Sequence, residues 1–294
     1  IGRALKIPDK DMVTDDELSS DEKDISLSQR DSILKMLSDT KVHFFDESHV
    51  ISTKTATQIY KSINPIKIFG FSGTPFRDDA SNLLINAILG EQIINVSASS
   101  LIEKGFLAQP IIKFVTVPKM TVGGQYLSVY KDYIVENEIR NNLIVDNVKS
   151  LIDKKYTPLV LCKQIKHLNL INDKILAAGM RSAMLYGNDS IDKRNEVKQM
   201  LINKEIDVIV ASTVFDIGLN LEEISALVLA GSGKSSIRAL QRVGRALRMI
   251  PGKKYAAIID FFDQAKFVKK HSMIRYKVYC SEPGFKVIKS KEMK

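Results

Sequence analysis

The hydrophobic positions of this chain fall into short continuous runs separated by segments of helical period. Val42–Phe45, Ile66–Phe71, Ile111–Val117, Pro158–Cys162, Arg181–Leu185, Ile206–Ala211, Ala226–Ala230 and Tyr255–Ile259 are rich in β-branched, aromatic and other apolar side chains. Runs that stay apolar, rather than alternating with polar residues, predict strands buried on both faces, as in a parallel sheet. Between them, a 3.6-residue period predicts a helix over Ser28–Leu37, with Ile33, Leu34 and Leu37 on one face. Further helices are predicted over 52–62, around Leu83–Ile88, over 126–153 as one or two pieces, and near 164–178, 190–203 and 236–248. Ser28, Ser52 and Ser190 stand where an N-cap hydroxyl belongs. Ile25–Leu27 reads as a short strand, and the acidic stretch 8–24 as a loop or disordered insertion. From Tyr156 onward strand and helix alternate, which predicts a parallel sheet with helices on both faces, joined by right-handed crossovers.

Length adds a second domain to that picture, since 294 residues suffice for two cores. Gly105–Pro110 reads as the turn out of the first domain and Thr121–Gly124 as a flexible break, which sets the boundary within 110–125. Charge is uneven. Residues 1–31 hold nine Asp/Glu against five Lys/Arg, whereas residues 264–294 hold nine Lys/Arg against two Glu, in a chain of net charge +9. A basic body of this kind suits a polyanion such as nucleic acid, because neutralising phosphates releases counterions. No apolar run reaches the length of a membrane span, so no membrane partner is expected. Two cysteines without metal-ligand spacing, Cys162 and Cys280, exclude a disulfide scaffold and a zinc site, and fit a reducing, cytoplasmic setting. The first residue is Ile and no signal-peptide pattern follows, from which further sequence upstream is expected.

The chemistry concentrates at the end of the Val42–Phe45 run. Asp46-Glu47-Ser48-His49 places two adjacent carboxylates where parallel sheets hold ligands, beyond the carboxyl ends of their strands. Two carboxylates there repel unless one faces a cation. Asp46 on Mg²⁺, with Glu47 orienting a water, is an arrangement that nucleotide hydrolysis uses. A solvated strand end with a helix-capping Asp is the plainer reading of the pair alone. Two further motifs shift the balance: Ser72-Gly73-Thr74-Pro75 after the Ile66–Phe71 run, and Gln241-Arg242-Val243-Gly244-Arg245-Ala246-Leu247-Arg248 far downstream.

Taken in order, these three segments resemble motifs II, III and VI of superfamily 2 helicases and translocases. The similarity spans about residues 25–263, closest to the phage and viral branch with UvsW-like helicases, and to the group with XPB and restriction-enzyme motors. The resemblance implies an α/β fold of two RecA-like lobes, each a parallel sheet flanked by helices, with the first lobe incomplete at its N-terminus. In that plan residues 1–110 form the C-terminal part of lobe 1 and 111–155 a linker strand and helices. Residues 156–263 form lobe 2 and 264–294 a basic extension. ATP and Mg²⁺ are the implied cofactors, with Asp46 as the metal ligand, Glu47 as the water-orienting base, and His49 and Ser72-Gly73-Thr74 as coupling residues.

Val208–Asn220 resembles motif V: Ser212 and Thr213 would meet a nucleic-acid phosphate, and Gly218 and Asn220 the nucleotide. Asn220 stands where the family often has Asp. On a helix Gln241, Arg245 and Arg248 share a face, and the resemblance makes the two arginines fingers for the γ-phosphate, with Gln241 on the attacking-water or phosphate side. Arg242 points elsewhere. Gly231-Ser232-Gly233-Lys234-Ser235 imitates the tail of a phosphate-binding loop, but Val228 occupies the position of its first glycine. A loop beside nucleic acid, with Lys234 and Ser235 as phosphate contacts, is the reading preferred. His43, inside an apolar run, is expected to be packed; for His167 a structural or capping role and a functional one are both open.

The resemblance implies an ATP-dependent helicase or translocase that acts on DNA in replication, recombination or repair. Two other classes stay open, the motor subunit of a restriction or repair nuclease complex and a non-catalytic DNA-binding remnant. No Gly-x-x-x-x-Gly-Lys-Ser/Thr precedes Asp46. The chain by itself is therefore expected to bind ATP poorly and hydrolyse little of it.

Overall fold

The apolar runs become strands of two wholly parallel sheets. The computed structural model describes residues 27–48, 65–72, 82–212, 223–231 and 255–289, with single positions at 51, 53, 56, 57, 60 and 233. The chain divides into two compact units, Ile1–Asn95 and Val96–Lys294.

In the first unit, helix α1 (Leu27–Asp39) leads to β1 (Val42–Phe45), which pairs in parallel with β2 (Lys67–Gly70), and α2 (Asn82–Leu89) follows. Leu27 thus opens a helix instead of ending a strand. Most of the helix expected over 52–62, and residues 8–24, lie outside the described residues. The expectation that β1 is buried on both faces is not met. Phe44 is 68% exposed, and its ring stacks on Phe69 at 5.4 Å and lies 6.0 Å from Phe71. Two paired strands cover one another along one edge only, so their apolar side chains stay partly exposed. His43 is half-buried and stacks on Phe45, in keeping with a packed side chain.

Among its described residues the second unit holds a seven-stranded parallel sheet. Its strands are β3 (Gln109–Thr116), β4 (Pro158–Cys162), β5 (Ser182–Leu185), β6 (Val208–Ser212), β7 (Ala226–Val228), β8 (Tyr255–Phe262) and β9 (Lys286–Lys289), in the order β5-β6-β4-β7-β8-β3-β9. Strand alternation sends successive apolar residues to opposite faces. Val160, Val208, Val210, Val228 and Phe261 enter one core, with Ile144, Val148, Leu168 and Ile171. Leu161, Ile209, Leu227 and Ile258 enter the other, with Val197, Leu201 and Tyr279. Both faces are covered over the central strands β4, β6, β7 and β8, which is why these read as unbroken apolar runs.

The helices of this unit are α3 (Ala98–Glu103), α4 (Tyr126–Val129, continued as a π-helical turn over Tyr130–Val135) and α5 (Glu138–Asp153). After them come α6 (Ile165–Ala177), α7 (Ile191–Ile202) and α8 (Val268–Ser281). The segment 126–153 is therefore two pieces. Asn137 separates them, its side chain accepting from Arg140 N at 3.1 Å. Ser190 caps α7 by accepting from Lys193 N at 3.2 Å. Among the described residues no helix is long and apolar enough to cross a membrane.

The sequence-based boundaries shift in two places. The strand expected to link the domains is β3, bonded between β8 and β9, so the segment 111–155 is built into the second unit, which begins at Val96. The basic stretch 264–294 is likewise no appendage, since it supplies α8 and the edge strand β9. The physical reason is register: all eight residues of β3 find parallel partners on β8, a pairing across some hundred and forty positions of chain that no local pattern announces.

Candidate nucleotide and nucleic-acid site

In the first unit the site residues grow out of two strand ends tied together. Phe71 N donates to Phe45 O and Ser48 N to Phe71 O, each at 2.8 Å. The Asp46-Glu47 turn and the exit of β2 are thus held side by side, with Ser72 one residue beyond the second bond. Asp46 Oδ1 accepts from Glu47 N at 2.8 Å, and Glu47 takes a left-handed φ of 51°. A non-glycine residue rarely adopts that conformation, and at a ligand-facing turn it re-aims the side chain. Ser48 is buried beneath the turn. His49, Gly73 and Thr74 lie outside the described residues.

Gly70 makes this crossing feasible. A Cβ there would come within 2.5 Å of Leu89 Cδ1 and 2.9 Å of Ser48 Cβ. The leucine tip can swing aside, but the Ser48 Cβ is fixed to the turn. Gly70→Ala is expected to destabilise the first unit by about 1–3 kcal/mol, the usual range for overpacking. Chemical denaturation checks this, and an unchanged midpoint would refute the tight approach.

Asp46 is exposed and has one oxygen engaged by the backbone. A single hard carboxylate suits a Mg²⁺ that keeps its waters and takes its remaining ligands from nucleotide phosphates. The exposed Asp46 carboxylate is chemically compatible with such an ion. Among the described residues no cluster of three or more His, Cys, Asp or Glu forms a self-contained metal cage.

In the second unit, Ser212 ends β6 beside Cys162 of β4. It is buried, and its hydroxyl has no hydrogen-bond partner among the described residues. The hydroxyl thus ends at the carboxyl edge of the sheet, the edge where parallel sheets place ligands. Thr213, Gly218, Asn220, Lys234, Ser235, Gln241, Arg245 and Arg248 lie outside the described residues, as does the helix expected over 236–248.

In the imitation phosphate-binding loop, Gly231 has a structural cause, whereas a Cβ on Gly233 would meet open space. Gly231 N donates to Leu161 O at 2.7 Å, and a Cβ on Gly231 would sit 2.4 Å from Lys163 N. The Gly233 carbonyl accepts from Arg275 Nη1 at 2.8 Å. Gly231 is thus packed onto the end of β4, and the Gly233 carbonyl is anchored by Arg275.

That anchor belongs to a buried network absent from the sequence reading. Asp260 of β8 is fully buried and accepts from Arg275 Nε and Nη2, both at 2.9 Å, and from Tyr279 Oη at 3.1 Å. Burial alone would lower the Arg275 pKa, but the Asp260 carboxylate outweighs it and holds the guanidinium charged. Beside it, Arg140 Nε donates to Asp263 Oδ1 at 2.8 Å, with the guanidinium 5.0 Å over the Phe261 ring. The visible signal was a carboxylate inside an apolar strand, Ala256-Ala257-Ile258-Ile259-Asp260-Phe261-Phe262, which demands a buried cation.

His167 takes a structural place. It is fully buried on α6, and Nε2 lies 3.0 Å from Asn141 Oδ1, while the Asn141 amide nitrogen donates to Val135 O. The asparagine oxygen must accept, so Nε2 carries the proton. Burial, then the Arg140 charge, push its pKa down to about 3. The unfolded chain, with an ordinary histidine near 6.5, takes up this proton first as the pH falls. The stabilisation is complete above about pH 6.5 and lost toward about pH 3. Between pH 7 and 5 the second unit is expected to lose about 2 kcal/mol through this residue. His167→Gln should remove that part of the slope in urea titrations at several pH values.

Residues 141–250 match the helicase conserved C-terminal domain, and the chain is similar to superfamily 2 helicases of the UvsW-like branch. It is 27% identical over 274 residues to the ATP-dependent DNA helicase uvsW of Enterobacteria phage T4, covering 83% of this chain and 53% of that protein. It is also 27% identical over 236 residues to the ATP-dependent helicase Lhr-Core of Methanocaldococcus jannaschii, covering 77% of this chain and 26% of the relative. The chain spans about half the length of the curated viral and phage relatives it matches. Among solved structures, a fragment assigned to the HsdR subunit of a type I restriction enzyme from Vibrio vulnificus YJ016 superposes with a TM-score of 0.65 at 16% identity, over 89% of this chain and 51% of that one. S. cerevisiae Dbp5 bound to RNA and ADP BeF3 gives 0.55 at 12% identity, over 88% and 63%. At these identities the structures establish the RecA-like fold.

Proposed function

We propose that the protein is an ATP-driven helicase or translocase acting on DNA, in replication, recombination or repair. The observation that carries the reading is the backbone tie between the Asp46-Glu47 turn and the exit of β2, which holds that turn beside the segment leading to Ser72 at one sheet end. In this proposal Asp46 holds Mg²⁺, Glu47 orients the attacking water, and Arg245 and Arg248 neutralise the γ-phosphate, with Gln241 beside them. Bound Mg²⁺–ATP supplies the phosphoanhydride whose hydrolysis drives movement. Gly218 and Asn220 would lie against the nucleotide, His49 with Ser72, Gly73 and Thr74 would couple its state to grip, and Ser212, Thr213, Lys234 and Ser235 would hold phosphates of the strand.

DNA is favoured over RNA because uvsW, named a DNA helicase, aligns over 83% of the chain, whereas the RNA helicase PRP28 of Yarrowia lipolytica aligns over 53%. The chain's net charge of +9 suits either backbone. The 294 residues contain no complete phosphate-binding loop, so turnover is assigned to the form of the protein that carries one, and this chain alone is expected to be inactive. The test is steady-state ATP hydrolysis by that form with single-stranded DNA, duplex DNA and RNA. Stimulation by DNA above RNA supports the proposal. Binding of DNA without any turnover would replace it with the non-catalytic reading.

A further inference from the structure

The turn after β8 carries strain that the fold does not explain. Phe267 has φ 65° and ψ −54°, and Val268 N donates to Lys266 O at 2.8 Å. An i to i+2 hydrogen bond with these angles is a γ-turn of the rare, strained hand. Glycine would adopt it at little cost, whereas a bulky side chain there is an outlier. Strain of this kind, kept on a large residue, points to a use for the side chain.

The surroundings say which use. The Phe267 ring is 39% exposed. Tyr126, which follows β3, meets it edge-on with centroids 6.2 Å apart, and Tyr126 is in turn 5.9 Å from Tyr130. Lys266 Nζ lies 4.9 Å over the Phe267 ring and Lys163 Nζ 5.6 Å over Tyr130. Both lysines are exposed. Lys163 leaves β4, Tyr126 follows β3 and Phe267 follows β8, so the row lies along the carboxyl edge of the sheet, the edge where Ser212 ends β6. Rings that served only as core would be buried, as Tyr130 is.

We propose that Phe267, braced by Tyr126 and flanked by Lys266 and Lys163, is a stacking platform for one base of a single-stranded nucleic acid, the lysines meeting neighbouring phosphates. An exposed ring with an ammonium group beside it, in a row that carries a second lysine, is the chemistry that recognises a base and its neighbouring phosphates, whatever the base. This rests on the proposed nucleic-acid reading and adds a contact to it that the motif residues do not supply.

The experiment is equilibrium binding of the 294-residue chain to oligothymidylate and to an abasic strand of equal length, by fluorescence anisotropy. The variants are Phe267→Gly, which removes the ring and relieves the turn, and Phe267→Tyr, which keeps a ring. The unaltered chain should prefer the strand with bases. Phe267→Gly should weaken oligothymidylate binding about ten-fold and leave the abasic strand unchanged, with Phe267→Tyr restoring the preference. Equal losses on both strands, or none, would overturn the platform while leaving nucleic-acid binding intact. No binding of either strand by the unaltered chain would overturn both readings.

Discussion

Glu47→Gln, made in the form of the protein that carries a phosphate-binding loop, is expected to cut DNA-stimulated ATP turnover by roughly 100-fold or more while leaving nucleotide binding nearly unchanged. Removing a positioned proton acceptor from a hydrolytic site typically costs 10²–10⁴ in rate. The substitution keeps the size and the hydrogen-bonding reach of the side chain. The left-handed backbone at Glu47 and the bond from its N–H to Asp46 Oδ1 do not depend on the carboxylate, so the turn should persist. Asp46→Asn should act differently, raising the Mg²⁺ concentration needed for binding, because it weakens a metal ligand. Single-turnover hydrolysis with a parallel fluorescent-nucleotide titration separates the two. If Glu47→Gln retains full turnover, the carboxylate pair is a strand-end feature, and the motor proposal loses its hydrolytic base.

Arg275→Met is expected to destabilise the second unit by about 3–5 kcal/mol, the usual consequence of breaking a buried ion pair on one side. Asp260 would keep its bonds from Phe261 N at 2.7 Å and Tyr279 Oη, but its charge would lie uncompensated inside a sheet strand. The Gly233 carbonyl would lose its donor as well. Replacing both members, as Asp260→Val with Arg275→Met, should cost less than the single change, since an apolar pair leaves no buried charge behind. Urea denaturation of the two variants reads the difference. A single variant within about 1 kcal/mol of the parent would mean that water reaches Asp260 and the network carries little.

Much of this architecture is local. Continuous apolar runs placed β4 at its observed bounds and β5 to β8 within a few residues, because a strand covered on both faces needs apolar side chains at every position. Ser190 announced the start of α7 because a cap acts on the residues next to it. The Asp46-Glu47 pair and the serine after β2 stood out as candidates because they sit at strand ends, where the pattern changes from apolar to polar. Long-range pairing decided the rest. The membership of β3 and β9 in the second sheet depends on hydrogen bonds to β8 and β3, and a strand's own composition does not name its neighbour. Arg140 meets Asp263 across 123 positions, so neither residue's neighbours in sequence reveal that it is buried and paired. His167 reads the same in sequence as a cap or a catalyst. Only its packing against Asn141, beneath a charged arginine, fixes it as a neutral structural group. The γ-turn at Phe267 is a matter of two backbone angles at one bulky residue, and tertiary packing alone sets them.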